Sequence, residues 1–150
     1  MTLKEQLHSD LTDAIRAKDD VRRSTLRMVL TSVTNEEVAG KQARELSDDE
    51  VTKVMTRELK KRREAATAYA DAGHPDRASA ELAEAAVIEA YLPAQLADNE
   101  LAALVASAIA DSGASGAHAM GQVMKVVQPK IAGRADGGRV AAEVKRQLAP

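Results

Sequence analysis

Leu3, Leu7, Leu11 and Ile15 recur at four-residue steps with mostly polar residues between them. That spacing predicts an amphipathic helix with a single apolar stripe. Thr2 and Glu5 stand in capping-box relation at its start. Beyond the Lys18-Asp19-Asp20 break a second helix is predicted, burying Leu26, Val29, Leu30 and Val33 and stopping near Gly40. A third opens at Ser47, with Glu50 completing another capping box, and presents Val51, Met55, Leu59, Ala66 and Tyr69 on one side. Gly73 is its natural stop, and His74-Pro75 prevents continuation. A fourth helix is expected from about Asp76 to Tyr91, closed by Leu92-Pro93.

The polar stretch "PAQLADNE" then separates two halves, with a fresh helix start at Asp98 or Asn99. Three shorter helices follow, through Leu101, Leu104 and Val105, through Met120, Val123, Met124 and Val127, and through Val140, Val144 and Leu148. Gly113, Gln128-Pro129 and Gly133 punctuate them, and Asp136 suits the cap of the last. No stretch sustains two-residue alternation, so the expected fold class is all-α. The expected organisation is a helical N-terminal domain of about four helices over residues 1–93 and a small three-helix C-terminal domain over residues 94–150. Tyr91 and Pro93 then have structural roles at the boundary.

Composition narrows the chemistry. The chain has 150 residues and no cysteine, which excludes disulfides, thiolate zinc sites and cysteine nucleophiles. Tyr69 and Tyr91 are the only aromatic residues, so nucleic acid would be held through shape and phosphate contacts, without stacked bases. No apolar run approaches membrane-spanning length and the opening residues carry no apolar core. The expectation is a soluble cytoplasmic protein with no membrane partner.

The net charge of −2 is unevenly spread: +2 over residues 1–63, −8 over 64–117 and +4 over 118–150. A basic end suits a polyanion. The competing reading is that the acidic middle and the basic tail neutralise each other within the fold.

His8, His74 and His118 lie in separate segments without ligand spacing, so no metal site and no cofactor are expected. "GRADGG" lacks the lysine and hydroxyl of a nucleoside-triphosphate loop. Glu81 and Glu84 share a helical face and could form an acid–base pair. The stronger reading is structural, with these carboxylates pairing the cations Lys53, Arg57, Lys60 and Lys61 of the preceding helix. Those four also form a secondary basic surface, next to Arg62 and Arg63. Gly121 falls inside a predicted helix, where glycine costs about 1 kcal/mol relative to alanine, and close approach of a neighbouring backbone is the expected reason. Gly133 and Gly137-Gly138 flank a loop whose shape they set, leaving Lys125, Lys130, Arg134, Arg139, Lys145 and Arg146 to point outward toward phosphate.

Four segments carry a family resemblance: "AKDDVRRSTLRMVLTSV", "LSDDEVTKVMTRELKKRREAATAYADAG", "AELAEAAVIEAYLPAQL" and "MGQVMKVVQPKIAGRADGGRV". Together they resemble the GatB/YqeY family over nearly the whole chain, in the form of a free-standing YqeY-type protein. The chain departs from that pattern at "GHPDRA" and at His118-Ala119. The resemblance implies a C-terminal part similar to the tail of GatB, the subunit of glutamine-dependent tRNA amidotransferase that handles the mischarged tRNA. It implies tRNA or another structured RNA as partner, with amidotransferase subunits or an aminoacyl-tRNA synthetase as protein partners. Carbon–nitrogen ligase activity with glutamine as amide donor belongs to the family's association, and no self-contained active site for it is visible in these residues. The expectation is a non-catalytic RNA-binding protein acting beside tRNA amidation; the alternative is a protein-interaction module without RNA binding.

Overall fold

The computed structural model describes residues 1–150, the side chain of Ala117 excepted. It is all-helical, with no strand among the described residues. The helices are α1 (Leu3–Arg16), α2 (Asp20–Glu37), α3 (Asp48–Asp71), α4 (Pro75–Glu89), α5 (Asp98–Ser112), α6 (Met120–Ile131) and α7 (Gly137–Leu148). A short 3₁₀ turn, Ala117–Ala119, precedes α6 and has no counterpart in the sequence pattern. Contacts divide the chain into two compact units, Met1–Pro93 and Ala94–Pro150.

In the N-terminal unit, local chemistry starts each helix. Thr2 and Glu5 form the capping box of α1, Asp19 accepts the Arg22 N–H at the head of α2, and Ser47 and Glu50 cap α3 reciprocally. Pro75 occupies the first position of α4, where its missing N–H would have had no helical partner. The core is built from Leu7, Leu26, Val29, Val33, Val51, Met55, Leu59 and Ile88. Ile15 departs from the predicted stripe and is 46% exposed, one residue before α1 ends at Arg16.

The helix α2 ends at Glu37, short of Gly40. There the Glu37 carboxylate accepts the Leu46 N–H at 3.1 Å and the Lys4 ammonium at 2.8 Å. These bonds hold the carboxyl below its usual range, the Lys4 bond first, and they fix the start of the connection to α3. The helices α3 and α4 form a hairpin about Gly73, whose φ of +81° suits glycine. Arg62 and Glu84, equally distant from that turn in sequence, approach to 3.5 Å. The helix α4 ends at Glu89, before Tyr91.

The C-terminal unit packs α5, α6 and α7 around Leu101, Val105, Val123, Val127, Ile131, Val140, Val144 and Leu148. Asp98 opens α5, and Glu100 reaches back to the Ala97 N–H at 3.0 Å. Gly113 closes α5 in the left-handed conformation, and Asp136 caps α7. Pro129 corrects the expected break at Gln128-Pro129, for it lies inside α6. Its ring removes only the bond to the Lys125 carbonyl, and continuing two residues further buries Ile131 in the core. The chain turns at Ala132 (φ +49°) and Gly133 (φ +78°).

Candidate nucleic-acid interface

The basic residues of the C-terminal unit occupy α6, α7 and the loop between them. That loop is pinned from its own unit: the Leu96 N–H donates to the Arg134 carbonyl at 2.8 Å, and the Gln95 amide donates to the Gly133 carbonyl at 3.4 Å. Of the six cations expected to face outward to phosphate, Arg134 is differently placed. Its guanidinium turns back onto α6, donating to the Ile131 carbonyl at 3.2 Å and the Lys130 carbonyl at 2.9 Å. A helix C-terminus is rich in unpaired carbonyls and carries partial negative charge, so this arginine serves as a cap.

Three others are engaged by acids at the surface. Lys130 meets Asp111 at 2.9 Å, Arg139 meets Asp98 at 2.8 Å, and Arg146 meets Glu143 at 2.6 Å. The acidic helix α5 thus supplies partners for two of them. Arg146, followed by Gln147, holds the Glu143 carboxyl down to about 2. Lys125 and Lys145 are exposed and form no ion pair among the described residues.

Gly121 corrects another expectation. It is exposed in the first turn of α6, and a Cβ there would meet nothing within 4 Å, so no neighbouring backbone requires the glycine.

On α3 of the other unit, Lys53, Arg57, Lys60 and Lys61 are all exposed. Arg57 and Lys61 take partners other than the expected Glu81 and Glu84. Arg57 pairs with Glu36 on α2 at 3.3 Å, Lys60 approaches Glu64 at 3.9 Å, and Lys61 approaches Glu58 at 3.4 Å. The hairpin is joined by Arg62 with Glu84 and by Arg63 with Glu89. Glu84 is therefore an ion-pair partner, and Glu81 is half-buried beside it.

Arg62 is the residue that charge reading misplaces. It sits at 6% exposure, bonded to the equally buried Glu58 at 2.7 Å, with the Met28 sulfur against its other nitrogen. Its Nε lies 3.5 Å from Glu84 but makes no hydrogen bond, and Ser32 donates to Glu58 at 3.0 Å. The signal was in the spacing: the stripe Met55, Leu59, Ala66, Tyr69 has its missing step at position 62.

Among the described residues, no group of three or more His, Asp and Glu could hold a metal ion. No helix among the described residues is long and apolar enough to cross a membrane. The fold and this surface define an all-α protein whose last two helices carry a lysine- and arginine-rich exterior. The family model described as Yqey-like protein matches residues 4–148, and the chain belongs to that family. No curated protein matches the chain.

Proposed function

We propose that the protein is a non-catalytic RNA-binding protein whose C-terminal unit holds tRNA or another structured RNA by its phosphates, acting beside glutamine-dependent tRNA amidation. The observation that carries the reading is the +4 charge of residues 118–150, displayed on two short helices with Lys125 and Lys145 unpaired by acids. The pairs Lys130–Asp111 and Arg139–Asp98 do not oppose it. The Asp98 side chain is 99% exposed, and such surface pairs are worth about 0–1 kcal/mol, so a phosphate can take over the cation. Arg134 serves by fixing the loop between the two helices. The link to amidation rests on the resemblance of this part to the tail of GatB.

The test is titration of tRNA against the full chain at several salt concentrations, comparing the wild type with Lys125→Ala/Lys130→Ala/Lys145→Ala. Each lost phosphate contact should lower the magnitude of the salt slope by roughly one unit or slightly less. Unchanged affinity and slope in a folded triple variant would remove the RNA surface from these helices. Amide transfer by the pure protein would overturn the non-catalytic reading.

A further inference from the structure

A cavity of about 650 Å³ opens on the N-terminal unit, and none of the residues assigned to RNA above lines it. Its floor is formed by Ala83, Ala86 and Val87 of α4 and by Ala90 just beyond its end. Val21, at the first turn of α2, forms a wall and is itself 44% exposed. One turn before Ala86, Leu82 stands 54% exposed on the same helix. Asp10 and Asp19 supply two carboxylates to the lining, against the single guanidinium of Arg22. The Tyr91 hydroxyl donates to Asp10 and also meets Arg22, tying the end of α4 to α1 and α2 and setting the shape of the groove.

We propose that this groove docks an amphipathic helix of a partner protein, one with aliphatic side chains on one face and lysine or arginine along its edge. The charge argument selects the partner. Asp10 and Asp19 outnumber Arg22 and leave the lining one net negative charge, so the rim favours a cationic edge and disfavours RNA phosphate. The floor argument selects a helix. Three alanines let a second backbone come close, and the volume exceeds what one aliphatic side chain fills, matching the several anchors a helix offers at successive turns. The proposal is independent of the RNA reading, which uses the other unit.

A labelled synthetic leucine–lysine amphipathic helical peptide is the probe, titrated against the full chain by fluorescence anisotropy. Ala86 is exposed, so Ala86→Trp fills the groove without changing charge; binding should weaken by about tenfold or more while the circular dichroism melt is unchanged. Ala83→Leu serves the same purpose if the tryptophan disturbs folding. Asp19→Asn keeps an equally good helix cap and should weaken binding by about threefold, with a shallower salt dependence. A leucine–glutamate peptide should not bind. Wild-type affinity in the filled variants, or equal binding of the glutamate peptide, would overturn the proposal. So would a wild-type dimer in sedimentation that Ala86→Trp dissolves, which would assign the groove to a second copy of the chain.

Discussion

Glu58 and Arg62 bond to each other at 2.7 Å across one turn of α3 with both side chains almost wholly removed from water. Desolvating two charges is costly, and the pair is tolerable because Ser32 and Lys61 also serve Glu58, while the Met28 sulfur and Glu84 line Arg62. Removing one partner therefore differs from removing both.

Arg62→Ala should destabilise the protein by about 3–5 kcal/mol, because Glu58 is left charged and buried. Arg62→Met with Glu58→Gln should recover a large part of that loss by keeping volume and removing both charges. Urea denaturation of the two variants and the wild type measures this; equal losses would show that the pair's charges do not govern the effect.

Tyr91 donates to Asp10, and its hydroxyl is pushed up to about 12, first by burial and then by the neighbouring carboxylate. A phenol with a folded-state value above its ordinary 10 contributes stability that is fully present below pH 10 and lost as pH rises toward 12. Tyr91→Phe should cost about 1 kcal/mol near neutral pH, the usual net worth of one hydrogen bond. Between pH 10 and 12 the difference between variant and wild type should shrink. Unfolding midpoints across that range decide the matter, and a constant difference would detach the hydroxyl from the effect.

At the acidic end, Glu50 is held down to about 2 chiefly by Arg44, and Glu143 to about 2 chiefly by Arg146. Depressed carboxyls contribute stability that is present above their unfolded value of about 4.5 and lost as pH falls toward 2. Glu50→Gln and Glu143→Gln should each flatten the acid limb of the stability profile, and salt should flatten the wild-type limb too, since both pairs lie at the surface. A limb as steep in both variants as in the wild type would place the acid sensitivity elsewhere.

Much of this architecture can be read from stripes and caps. Leu7, Leu26, Val29, Met55, Leu59, Val123, Val127, Val140 and Val144 all recur at helical spacing and all are buried. Thr2, Ser47 and Asp136 carry their caps in their own identity. The failures share a cause: tertiary context outweighs local preference. Pro129 is a breaker by type, yet burial of Ile131 draws the helix past it. Arg62 reads as one more cation of a basic run, yet helical phase carries it inward to Glu58. Arg134 reads as an outward cation, and the carbonyls of Lys130 and Ile131 at the end of α6 attract it. The groove beside Tyr91 leaves no sequence trace, because its lining joins α1, α2 and α4 from positions far apart in the chain.

The two glycines of the C-terminal unit separate conformational need from mere tolerance. Gly121 lies in helical conformation in α6, with nothing within 4 Å of where a Cβ would stand. Gly133 follows α6 with φ +78°, a region that side chains rarely adopt. Gly121→Ala should therefore stabilise the protein by roughly 0.4–1 kcal/mol, through better helix propensity and a less free unfolded chain. Gly133→Ala should instead destabilise it by about 1 kcal/mol or more, because the left-handed turn strains a Cβ. Opposite signs in thermal denaturation are the expected outcome. If Gly121→Ala keeps or raises stability but weakens tRNA binding, the exposed first turn of α6 belongs to the RNA contact. A loss of stability would instead assign Gly121 to close packing.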